Sequence, residues 1–212
     1  MLRIVAVLLA ALCLSGCAVV SSERPLFSVA DSEGAPTLKP GLWALPAGDC
    51  KFSLRASALK WPDCANAALV TATSLFGGKR DAVGAFPQAL TYRLASGDPA
   101  ILQVEAPADR EPGDPKVIYL GVRALASDGQ GLITSARVWL ALCAKPLPTD
   151  GGDLSKPVKL MPGLTPIKGR DECQARTPAA VRNAARQSES WAFSGDGEDF
   201  GLVARWIRDG DR

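Results

Sequence analysis

Ser57 and Lys60, in Ser57-Ala58-Leu59-Lys60, sit one helical turn apart and are the single formal match to an activated nucleophile. At that spacing an amine can take the hydroxyl proton and leave the oxygen free to attack a carbonyl. The companion elements with which this spacing works, Ser-Asp-Asn and Lys-Thr-Gly, do not occur. The pair also lies between Cys50 and Cys64, with Pro62 just after it, so chance explains it better than chemistry. The chain has no histidine. That removes Ser-His-Asp triads, Cys-His dyads and imidazole metal sites together. No Gly-x-Ser-x-Gly elbow is present. Gly77-Gly78-Lys79-Arg80 lacks the first glycine and the Ser/Thr of a phosphate-binding loop.

Carboxylates give no stronger signal. Asp196, Glu198 and Asp199, spaced by Gly195 and Gly197, offer oxygens to a calcium ion but miss the order and distal Glu of a calcium loop. A solvated turn between Phe193 and Phe200 accounts for them, and Asp150 and Asp153 carry less still. The expectation is therefore no catalytic residue, no metal and no cofactor. The tryptophans Trp43, Trp61, Trp139, Trp191 and Trp206 are numerous for so few aromatics. They are candidates for stacking on a sugar ring, although their apolar neighbours favour core anchors.

Six cysteines are left to explain. Cys50, Cys64, Cys143 and Cys173 lie beyond the apolar N-terminus, and an even number in an exported chain reads as two disulfides. Three pairings are open, with proximity favouring Cys50–Cys64 and Cys143–Cys173. A four-cysteine metal site is disfavoured because no Cys-x-x-Cys pair exists.

Cys13 and Cys17 belong to the N-terminus. Arg3 is followed by an apolar run to Leu14, an export-signal pattern that is too short to span a bilayer. It ends in Leu14-Ser15-Gly16-Cys17, which resembles the lipobox of bacterial lipoproteins. That resemblance implies diacylglycerol on the Cys17 sulfur, cleavage before it, and three acyl chains, enough for firm anchoring. Cys13 would leave with the signal. Removing 16 residues from 212 leaves 196, which suits one domain. Ala18 and Val19, rather than Asp, follow the cysteine, so the resemblance implies the outer membrane, on its periplasmic side.

Without Arg3 the chain carries 23 Lys+Arg against 22 Asp+Glu, with no basic face to bind nucleic acid. Residues 17–37 read as a lipidated tether holding one short apolar piece, Leu26 to Ala30, that would suit an edge strand. The domain is expected over 38–212, mainly β with minor α. Short strands are expected in Gly41–Leu45 and Cys50–Ala56, and either helix or strand in Asn66–Phe76. Two hairpins are clearer, around Ser96-Gly97-Asp98-Pro99 and Asp128-Gly129. Leu90, Tyr92 and Leu94 share one face, as do Leu102, Val104 and Ala106. Ile118, Leu120, Val122 and Ala124 share another, facing Leu132, Ala136, Val138, Leu140 and Leu142. After a long loop, Thr177 caps a helix with Val181, Ala184, Ala185 and Ser188 on one side. A last strand, Gly201 to Arg208, puts Leu202, Ala204 and Trp206 together.

The expected architecture is an antiparallel sheet or small barrel-like meander with one late helix before the final strand. Gly41-Leu42-Trp43 with this element order is similar to lipocalin-like barrels, which place that tryptophan in the core at their closed end. Their helix normally follows the eighth strand, and here a strand follows the helix. The resulting expectation is a lipid-anchored envelope protein with a binding or scaffolding role and an envelope protein as partner. The alternatives are a barrel carrying an apolar small molecule or lipid and, more distantly, a hydrolase.

Overall fold

A computed structural model describes residues 19–77, 88–107, 115–146, 159–168, 170, 172–194 and 200–210. Cys13, Cys17 and the rest of the lipobox, Gly78 to Arg80, Asp150, Asp153 and the cluster from Gly195 to Asp199 lie outside the described residues.

The protein is mainly β. After β1 (Val19–Ser22) come β2 (Gly41–Ala44), β3 (Ala67–Val70), β4 (Ser74–Gly77), β5 (Gln88–Ala95), β6 (Ala100–Glu105), β7 (Val117–Ser127) and β8 (Ile133–Leu140). Then follow β9 (Leu164–Pro166), β10 (Glu172–Ala175), helix α1 (Pro178–Ala192) and β11 (Gly201–Arg208). Strands β2 to β8 pair antiparallel in chain order, and β11 fits between β8 and β2. An eight-stranded antiparallel barrel is thereby closed. The period of two decides the inside: Tyr92, Leu94, Leu102, Val104 and Val122 pack together within it.

Two of its glycines are required by crowding. Gly41 has φ +132°, and a Cβ there would strike the Arg208 carbonyl where β2 meets β11. Gly121 lies under the Trp139 ring, so any side chain at that position would displace the indole.

Helix α1 packs on the outside of this wall. Thr177 caps it by accepting from the Ala180 N–H, and Val181, Ala184, Ala185 and Ser188 are fully buried. Small side chains let the helix come close enough for the Trp139 Nε1–H to donate to the Ala185 carbonyl at 2.7 Å. Ser188 Oγ donates to the Ala184 carbonyl and accepts from the Leu142 N–H at 2.9 Å, which satisfies a polar group in an apolar layer. Arg123 on β7 reaches Glu189 at 2.8 Å and Asp98 at 2.8 Å, tying the helix to the β5–β6 hairpin.

The structure corrects the N-terminal reading. Residues 19–37 are part of the fold, and the first strand is β1 rather than Leu26 to Ala30. Strand β1 pairs antiparallel with β7 and parallel with β10, which in turn pairs with β9. Its polar half looked like linker, yet Ser21 and Ser22 are buried with their hydroxyls paired. Ser22 Oγ bonds the Tyr119 hydroxyl and the Arg24 carbonyl at 2.6 Å each, and Ser21 Oγ donates to Glu172 at 3.1 Å. Leu26 and Phe27 run as irregular chain held by the buried Gln103, and Ala30–Ser32 is a 3-10 turn.

Three smaller expectations also change. Cys50 to Ala56 is loop and turn, not strand, because the Cys50–Cys64 bridge folds it over β2. Asn66 to Phe76 resolves into β3, a turn organised by the Thr71 hydroxyl, and β4. In the β7–β8 hairpin a bulge shifts the register after Ala124, which leaves Ala124 exposed and buries Ile133 in place of Leu132.

Candidate binding site

The two ends of the barrel differ. At the end that holds the β5–β6 and β7–β8 hairpins, Trp43, Val70, Tyr92, Leu94, Leu102, Val122, Ile133 and Ala204 are buried around Leu38. The segment before β2 closes this end: the Lys39 N–H donates to the Ile133 carbonyl, and the Ile133 N–H to Thr37. Lys39 Nζ pairs with Asp128 at 3.0 Å and lies 4.2 Å from the centre of the Trp206 ring. The Lys39 ammonium therefore holds the Asp128 carboxyl below the usual carboxylate range. The Trp43 and Trp206 indoles donate to the Lys39 and Pro40 carbonyls at 2.8 and 2.9 Å. The Tyr92 hydroxyl donates to the Thr71 carbonyl at 2.8 Å, and burial pushes its pKa up to about 12.

At the opposite end, where β7 and β11 begin and β8 finishes, interior positions are again apolar but only half-buried. They are Leu75, Leu90, Ile118, Leu120, Val138 and Leu202, set by the pairs Leu75–Leu90, Val104–Ile118, Leu120–Leu140 and Leu202–Val138, and all but Leu202 pack against the same buried cluster that fills the plugged end. Val104 and Leu140 are the buried members. Among the described residues of this ring no side chain carries a charge or a hydrogen-bonding group. Side chains of this kind offer shape and apolarity but no polar handle, and the interior of an eight-stranded barrel is filled by side chains or holds one small ligand. On the outer rim a cleft of about 280 Å³ lies between Glu23, Glu105 and Lys116, with Lys116 and Glu23 paired across it at 2.7 Å.

The other candidate residues are placed as follows. Cys50 pairs with Cys64 and Cys143 with Cys173, with Cα separations of 5.7 and 5.9 Å. The five tryptophans do not converge. Trp43 and Trp206 are neighbours across β2 and β11 at the closed end. Trp61 is buried outside the barrel, its ring 4.7 Å from that of Phe52 and its Nε1–H on the Ser53 carbonyl. Trp139 lies under α1, and Trp191 is half-buried near the end of that helix. No common stacking platform results, because the indoles fall in three places: inside the barrel, under α1, and beneath the Cys50–Cys64 loop. Ser57 caps a 3-10 turn by accepting from the Leu59 N–H at 3.3 Å, and Lys60 is exposed. The hydroxyl acts as a local cap.

Sequence reasoning identified most of the half-buried ring as apolar faces but not as an end of a barrel. Leu75 was hidden by the helix-or-strand ambiguity of its segment. A closed eight-stranded barrel with Gly41-x-Trp43 at its plugged end is compatible with a lipocalin-like barrel, while the helix before the last strand departs from that pattern. No protein family, curated protein or solved structure matches the chain.

Proposed function

We propose that this is a lipid-anchored protein of the bacterial envelope whose barrel holds an apolar chain, from a lipid or a small molecule, at its Leu202 end. The carrying observation is the uneven burial inside the closed barrel: the chain around Leu38 plugs one end, while Leu90, Ile118, Leu120, Val138 and Leu202, apolar and facing inward, stay half-buried toward the other. The anchor rests on Leu14-Ser15-Gly16-Cys17 and the apolar run before it. Location on the periplasmic side of the outer membrane follows from the same residues. The reading is non-catalytic.

Native mass spectrometry of the purified full chain tests the carriage. A copurifying mass in the acyl-lipid range, with uptake of the apolar probe N-phenylnaphthylamine, is expected. A clean apo mass together with no probe uptake overturns it.

A scaffolding role is the second reading. Leu54 and Leu59, 55% and 54% exposed on the loop closed by Cys50–Cys64, are apolar side chains a partner protein would cover. Crosslinking in intact cells that captures one envelope protein through this loop, and loses it on Leu54→Ser with Leu59→Ser, would favour that reading.

A further inference from the structure

The lipid-acceptor cysteine and the fold are separated by a single residue. Ala18 alone lies between Cys17 and Val19, and Val19 is already 7% exposed, bridged to Leu142 and paired with Glu172. Two residues span at most about 7 Å. An anchor attached so close to a buried strand cannot let the domain swing freely at a distance from the bilayer, as a tether of 20 residues would.

The position of Val19 fixes which part of the molecule is held there. It packs with Leu140, Leu142, Ala192 and Phe200, and against half-buried Leu120, Trp191 and Phe193. Leu140 ends β8, and Phe200 immediately precedes β11. Leu142 lies four residues along the chain from Val138, which is about 13 Å of extended chain. Ser22 pairs with Val117 and Ser21 with Ile118, which sets Val19 level with Leu120, nearer the start of β7 than its hairpin tip; the anchor point therefore lies in the half of the barrel that holds the half-buried ring. Trp191 and Phe193 beside it have the aromatic character favoured at the boundary between headgroups and acyl chains.

We infer that the protein docks on the bilayer surface with the Leu202 end of its barrel toward the lipid, in an orientation set by the two-residue connection between Cys17 and Val19. This rests on the lipid-anchor reading and deepens it. The mouth then faces the source of apolar chains, and the β7–β8 hairpin tip points away from it. A chain could pass between bilayer and barrel without crossing water.

The test uses the acylated full chain in phosphatidylethanolamine–phosphatidylglycerol vesicles. A benzophenone amino acid is placed at Lys116, exposed at the Leu202 end, or at Gln130, exposed at the hairpin tip. Metabolic labelling with an alkynyl fatty acid is scored first. Absence of label, lost equally in wild type and in Cys17→Ser, overturns the anchor itself. With label present, lipid crosslinks are expected to be several-fold more frequent from position 116 than from 130. Equal yields, or an excess from 130, overturn the orientation and leave the anchor standing. A Gly/Ser linker of about 20 residues inserted between Ala18 and Val19 should erase the difference. A difference that survives the linker overturns the role of the short connection.

Discussion

Replacing Gln103 by Met isolates one buried polar junction without changing the volume of the side chain much. Gln103 is fully buried, and its Oε1 accepts from the Leu26 and Phe27 N–H groups, both at 2.9 Å. Its Nε2 donates to the Phe27 carbonyl at 3.3 Å. Methionine removes all three partners. Leu26 is half-buried, so its N–H recovers water, while both groups of the buried Phe27 are left orphaned. At about 1–3 kcal/mol for each buried orphan, the loss is about 2–6 kcal/mol. Against a typical total of about 5–15 kcal/mol this is a large fraction. With a urea slope of about 2 kcal/mol/M, the midpoint should fall by about 1–3 M. Urea unfolding at pH 7, followed by tryptophan fluorescence, measures it. Hydrogen exchange should also show the Phe27 amide opening ahead of the barrel strands. Equal midpoints with that amide still protected would refute the reasoning, since the segment from 23 to 37 would then be held by something other than Gln103.

The remaining predictions concern the mouth, the tyrosines and the bridges. Leu202→Glu places a charge in the half-buried ring, and should abolish N-phenylnaphthylamine uptake while leaving the far-ultraviolet circular dichroism unchanged. Tyr92 and Tyr119 are the only tyrosines, and burial raises each to about 12, with Ser22 pulling Tyr119 partly back. A raised phenol keeps its proton in the folded chain after the unfolded chain has lost it. Stability is therefore unaffected by these groups below about pH 10 and falls as pH rises from about 10 toward 12. Absorbance at 295 nm should show native ionisation near the upper value and unfolded ionisation near the lower one. Opening Cys50–Cys64 or Cys143–Cys173 by paired Ser substitution should cost about 3 and about 3.5 kcal/mol, from spans of 14 and 30 residues. Only the first should shift the emission of Trp61, which its loop covers.

Much of the sheet was legible along the chain because a strand exposes its two faces as alternate residues. Leu90-x-Tyr92-x-Leu94 and Ile118-x-Leu120-x-Val122 reveal their inward sides without any knowledge of partners. The helix was legible for a similar reason, since Thr177, Pro178 and the small residues from Val181 to Ser188 encode its cap and its buried stripe locally. Cysteine proximity favoured the pairing the structure adopts. What misled the reading was polarity taken as exposure. Ser21 and Ser22 fall in the stretch read as tether, yet they are buried because Tyr119 and Glu172 supply their partners from far along the chain.

By itself, then, the sequence determined the β character, the late helix and the absence of imidazole chemistry. Those follow from residue types and from periods of two and 3.6, which are local properties. Closure of the barrel was decided only in three dimensions, when β11 found both β8 and β2. So was the difference between its two ends, because burial depends on which distant segment arrives as cover. Leu38 and the chain around it reach one end of the barrel, while toward the other Leu90, Ile118, Leu120, Val138 and Leu202 remain half-buried.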